Sequence, residues 1–92
     1  MDEEQRRRDR EHVFERVVVA LQRLQGWKVL ERDDTTLEAI LYRSVRGPVQ
    51  HVGDTSRMRR RVRTWRKVWV DEDGRYQNQD SDTRITLGDS TT

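Results

Sequence analysis

The stretch that decides the fold runs Arg57-Met-Arg-Arg-Arg-Val-Arg-Thr-Trp-Arg-Lys-Val-Trp-Val-Asp71. At helical spacing, Met58, Val62, Trp65 and Trp69 fall on one stripe. At a period of two, Val62, Thr64, Val68 and Val70 share one face with Arg66 among them, and Arg61, Arg63, Trp65, Lys67 and Trp69 share the other. Branched side chains crowd a helix but fit a pleated surface. The run Asp71-Glu72-Asp73-Gly74 that follows is made of turn formers. Together these predict a strand from about Val62, closed by that turn and paired back to residues 75–79.

The same stretch carries the charge anomaly. Residues 57–67 hold seven Lys or Arg and no acid, whereas residues 1–56 are nearly balanced and residues 68–92 are acidic. The net charge of +2 therefore conceals one strongly cationic segment.

N-terminal to it, residues 27–32 and 36–46 read as an antiparallel hairpin around Asp33-Asp34-Thr35. Leu37, Ala39, Leu41 and Val45 alternate onto one face of the longer strand, with Ile40 and Tyr42 on the other. Gly47-Pro48 is expected to break that strand, leaving a short strand at 49–52 and a turn or helix start at 53–56. Residues 2–25 predict an amphipathic helix: Phe14, Val17, Val18, Leu21 and Leu24 repeat at i, i+3, i+4, i+7, Asp2 serves as N-cap and Gly26 ends it. Residues 1–10 have no apolar face and are expected to fray or project. Core duty is assigned to Phe14, Val17, Val18, Leu21, Leu24, Val29, Leu37, Ala39 and Leu41.

The expected fold class is α+β: a long N-terminal helix packed on a three- to four-stranded antiparallel sheet, with a disordered C-terminal tail. Residues 1–79 form the single domain. Residues 80–92 form the acidic tail, which could fold back over the basic patch. With 32% apolar and 39% charged residues in 92, the core is small and a large ligand cavity is excluded. The longest apolar run is five residues, Val17 to Leu21, far short of a membrane span. With no signal peptide and no cysteine, a cytoplasmic location is the simplest expectation.

Catalytic chemistry finds little purchase. A nucleophile needs a nearby base, yet the histidines are His12 and His51 alone, cysteine is absent, and no Gly-x-Ser-x-Gly elbow or Gly-rich phosphate loop occurs. His12 reads as part of a solvated helix face beside Glu11 and Glu15, and His51 as a loop or strand residue. Asp71-Glu72-Asp73 lacks the alternating ligands and distal Glu of a calcium loop. No enzyme activity, cofactor, metal site or small-molecule substrate is expected.

What remains is the basic and aromatic segment. Its candidate binding residues are Arg59, Arg60, Arg61, Arg63, Trp65, Arg66, Lys67 and Trp69. Guanidinium forks match phosphate oxygens and indole faces stack on bases. The same residue types also suit an acidic protein or an anionic membrane surface. Two expectations stand: a protein–protein or self-association surface, with a homodimer completing the small core, and, alternatively, nucleic-acid binding through residues 57–69.

Gly26-Trp27-Lys28-Val29, Leu41-Tyr42-Arg43, Pro48-Val49-Gln50-His51 and Val68-Trp69-Val70-Asp71-Glu72-Asp73-Gly74 together resemble a group of small uncharacterised prokaryotic proteins. These pair a Gly-Trp-Arg-Val hairpin with a later Val-Asp-Glu-x-Gly turn. The resemblance covers about half the chain and implies no activity or site residues. Many members carry hydrophobic membrane segments in the interval that here holds residues 57–67.

Overall fold

The computed structural model describes residues 2–53 and 56–88, with the side chains of 48, 50–52 and 56–58 outside the description. The chain runs α1 (Glu3–Gln25), β1 (Lys28–Asp33), β2 (Glu38–Val52), β3 (Ser56–Val70) and β4 (Tyr76–Ser81). The strands form one antiparallel meander in the order β1-β2-β3-β4. The architecture read from the sequence, a long N-terminal helix on a three- to four-stranded antiparallel sheet, holds, with four strands.

The helix ends follow from capping. The Asp2 carboxylate accepts from the Gln5 amide at 2.8 Å, and Gly26 takes the left-handed conformation (φ 72°, ψ 23°) that costs a side-chain-bearing residue more. Arg10 donates to the carbonyls of Val70 and Asp71, and Arg7 donates to the Asp34 carbonyl. Both lie in the part of the helix expected to project or fray, and both tie it to the turns of the sheet.

One face of the sheet packs on the helix. Phe14, Val18 and Leu21 of α1 meet Leu37, Ala39, Leu41, Val68, Val70 and Trp27 in the buried cluster, with Val13, Val17, Val29 and Tyr76 at its border. Leu24, expected in this core, is 81% exposed. It lies in the last turn of α1, where Trp27, 3% exposed, fills the space beneath the helix end. Arg43 and Arg66 both lie against the Trp27 ring, at 4.6 and 4.5 Å from its centroid.

The middle strands far outrun their neighbours. Each has 15 residues, against six in β1 and β4. Pairing with β1 stops at Tyr42 and pairing with β4 stops at Trp65. Beyond these, β2 and β3 continue alone as a two-stranded arm, about 30 Å long at 3.3–3.4 Å per residue. The molecule measures 66 × 33 × 18 Å with a radius of gyration of 17.3 Å, where a compact chain of this length would have about 12 Å.

Gly47-Pro48 does not end β2, contrary to expectation. The register moves from Arg46↔Arg61 to Val49↔Arg59, so two residues of β2 oppose the single Arg60: a β-bulge. Proline has no amide to donate to a ladder and is tolerated at such a point. Likewise β3 begins at Ser56, six residues before the expected start, and residues 49–52 continue β2. The turn expected at 53–56 includes residues 54 and 55, which lie outside the description, as do 89–92 of the tail.

β4 extends to Ser81, two residues past the expected domain boundary. Residues 82–88 form no helix or strand, but the Leu87 amide donates to a Glu31 carboxylate oxygen at 2.6 Å. Glu31 pairs with Ile40, on the face away from the helix. The segment therefore passes from the β4 edge to the β1 edge across that face. Ile40, fully buried yet outside the helix-side cluster, lies beneath this crossing.

Candidate functional site

The expected segregation of β3 side chains holds. Strand pairing and alternation put Arg61, Arg63, Trp65, Lys67 and Trp69 on the open face and Val62, Thr64, Arg66, Val68 and Val70 on the helix face. The candidate residues thus divide into three groups with different surroundings.

Arg66 belongs to the fold. It forms a two-pronged pair with Asp80, at 2.6 and 2.9 Å, and stacks on Trp27. The hydrogen bond from Arg66 holds the Asp80 carboxyl below its ordinary range, and the same bond pushes the Arg66 guanidinium up. Its charge is already answered within the protein.

Trp65, Lys67 and Trp69 lie on the open face of the four-stranded body, and all are part-buried. Lys67 is 5.5 Å from the Trp69 ring centroid. Trp65 packs against Tyr42, its partner across the β2–β3 pair, with ring centroids 5.2 Å apart and planes tilted by 54°.

Arg59, Arg60, Arg61 and Arg63 occupy the arm and are exposed. The sequence of the arm, residues 43–64, holds seven arginines and one acid, Asp54. Among the described residues, none of Arg46, Arg59, Arg60, Arg61 or Arg63 makes an ion pair; the pairs are Arg7–Glu11, Arg32–Glu15, Arg32–Asp34 and Arg66–Asp80. Arg46 stands directly opposite Arg61 in the register, and like charges at facing positions destabilise a ribbon.

Where the arm leaves the sheet, a concavity of about 350 Å³ opens, lined by Gly26, Lys28, Tyr42, Arg43, Ser44, Arg61 and Arg63. No carboxylate lines it. Four other concavities on the molecule each include at least one. Arg61 Nη1 donates to Ser44 Oγ at 3.3 Å across its floor. Lys28, Tyr42 and Ser44 were not singled out from the sequence. Only strand register brings them to the arginines.

The remaining sequence candidates are plain. Asp71 shapes the β3–β4 turn: one carboxylate oxygen accepts from the amides of Asp73 and Arg75, and the other from Gln77. The Arg75 amide leads in holding its carboxyl below the ordinary range. His12 is exposed on α1, and the His51 side chain lies outside the description. No group of three or more His, Cys, Asp or Glu suited to a metal ion occurs among the described residues. No helix there is long and apolar enough to cross a membrane. Comparison with protein-family models, curated proteins and solved structures found no match.

Proposed function

We propose that this protein is a small non-catalytic binding protein that engages nucleic acid through its basic arm. The observation that carries the reading is a cluster of exposed arginines on a projecting ribbon with no carboxylate partners among the described residues. In a domain whose Arg32 and Arg66 are paired, Arg46 and Arg61 face each other across the ribbon, and that like-charge pair costs stability. Binding a row of phosphates removes that cost. A two-stranded ribbon also has the width to enter the major groove or follow a backbone.

The test is the anisotropy of a labelled oligonucleotide at 50 and 200 mM salt. With the five arginines engaged and about 0.7 counterions released per phosphate on a single strand, affinity falls about 100-fold across that range. The triple variant Arg59→Gln, Arg60→Gln, Arg61→Gln flattens the log–log slope by about 2. No binding at 50 mM ends the reading.

A second reading, self-association, has its own support. Val45 and Val62 face each other on the helix side of the arm and are 43% and 46% exposed, beyond the reach of α1, and Leu24 at the helix end is 81% exposed. Sedimentation at high micromolar concentration tests it, with a monomer counting against it.

A further inference from the structure

We infer that the concavity at the base of the arm, together with the Tyr42–Trp65 pair, is a binding site for single-stranded nucleic acid, taking a phosphate on Lys28, Arg61 and Arg63 and a base beside the two rings. This rests on the reading of the arm as a nucleic-acid surface and names the form of nucleic acid it prefers.

Three features converge at this point. The first is charge: Lys28, Arg61 and Arg63 line a cavity without a carboxylate. Arg61 is held over it by its hydrogen bond to Ser44, and guanidinium forks match phosphate oxygens. The second is the aromatic pair. Tyr42 lines the same cavity and packs on Trp65 at 5.2 Å. One same-face step along each strand, about 6.6–6.8 Å, separates Tyr42 from Ser44 and Trp65 from Arg63, close to the span of one nucleotide. Phosphate beside base at that spacing is the repeat of a nucleic-acid strand.

The third feature is access. Residues 82–88 leave β4 at Ser81, the partner of Trp65, and cross the face away from the helix toward Glu31, the partner of Ile40. The crossing thus runs diagonally, away from the arm as it nears β1, and at the β1 side of the arm end it leaves Lys28 exposed and Tyr42 half-buried, three residues along β1 from Glu31. A duplex presents its phosphates but keeps its bases stacked inside, so it would use the arm arginines and leave the aromatic pair idle. An unpaired base has a free ring face, and stacking on aromatic side chains is tolerant of sequence.

The experiment measures binding of a labelled 12-nucleotide DNA strand, the same sequence as RNA, and the corresponding DNA duplex, at one ionic strength, with the full chain. The wild type is expected to hold both single strands at least tenfold tighter than the duplex. Tyr42→Leu is expected to cut single-strand affinity about tenfold, the scale of one lost stacking contact, and to lower the single-strand-to-duplex ratio with it. Lys28→Gln changes an exposed side chain, keeps the test open should Tyr42→Leu fail to fold, and is expected to lower the same ratio. Equal affinity for strand and duplex overturns the inference, as does an unchanged ratio in Lys28→Gln. In those cases the arm reading survives if the Arg59, Arg60, Arg61 triple variant still weakens binding to both forms. No binding of any probe at low salt overturns both.

Discussion

Gly47 sets the geometry of the arm, and replacing it with alanine separates arm from body. A Cβ built at Gly47 meets the Arg60 carbonyl oxygen at 2.8 Å and Val62 Cγ2 at 3.1 Å. The nearer atom is backbone, so β3 must move away from β2 at the bulge. Overpacking of this kind costs about 1–3 kcal/mol. Total stability for a chain of this length is about 5–14 kcal/mol at 0.05–0.15 kcal/mol per residue, and the buried cluster that supplies it includes no residue beyond Leu41 in β2 or before Val68 in β3. An isolated two-stranded ribbon is only marginally stable. The strain therefore opens the arm beyond the bulge while the body stays folded. Hydrogen exchange in Gly47→Ala is expected to accelerate at the amides of residues 49–52 and 56–59, with Tm lowered by less than about 4 °C, below the 4–8 °C that each kcal/mol of global destabilisation brings. Oligonucleotide affinity falls with the loss of the ordered arginine row. A Tm drop of 10 °C would refute the reasoning by showing that the arm is part of the cooperative core. Unchanged exchange at those amides would refute the close approach itself.

Further outcomes follow from the body. Arg66→Met removes both the pair to Asp80 and the stacking on Trp27, and is expected to cost about 1–2 kcal/mol, seen as a lower urea midpoint. Asp33, Asp71 and Asp80 have carboxyls held below their ordinary range, Asp33 by the Thr36 and Thr35 amides, Asp71 first by the Arg75 amide and Asp80 first by Arg66. A carboxyl depressed in the folded state stabilises above its unfolded value and loses that contribution as pH falls through its folded value. Stability is therefore expected to be flat near neutrality and to decline below the ordinary carboxylate range of about 4; thermal melts from pH 6 to pH 2 check this, with a shallower decline in Asp80→Asn. Leu24→Ser is expected to change stability by no more than about 0.5 kcal/mol, whereas Leu21→Ala costs about 2–5 kcal/mol, a contrast that chemical denaturation resolves. Ile40→Ala, on the face opposite the helix, is expected to cost about 2–4 kcal/mol; a neutral result would mean that residues 82–88 do not cover it.

The parts of this fold that pack were legible, because burial is what writes periodicity into a sequence. Phe14, Val18 and Leu21 repeat at helical spacing, Ala39 and Leu41 alternate, and Val68 and Val70 with their branched side chains mark β3 as a strand. The arm was not legible. Arg59, Arg60 and Arg61 are exposed, so no apolar alternation marks that part of β3, and Gly47-Pro48 looks the same in a bulge as in a strand end. Leu24 fits the helical repeat, but its place in the core is taken by Trp27, which follows the helix and which no periodicity of α1 includes. Arg66 is chemically identical to its arginine neighbours, and only the register that sets it beside Asp80, 14 residues on, removes it from the binding surface. The cavity at the arm base draws Lys28 from β1 and Tyr42 and Ser44 from β2, so it exists only once the strands are paired.

The central claim is that the arm is the working surface, and backbone amide shifts on titration with a short single-stranded oligonucleotide test it most directly. Shifts concentrated at residues 43–47, 59–65 and Lys28, with α1 and the β3–β4 turn unmoved, are the expected result. Shifts confined to α1, or none at low salt, would contradict it.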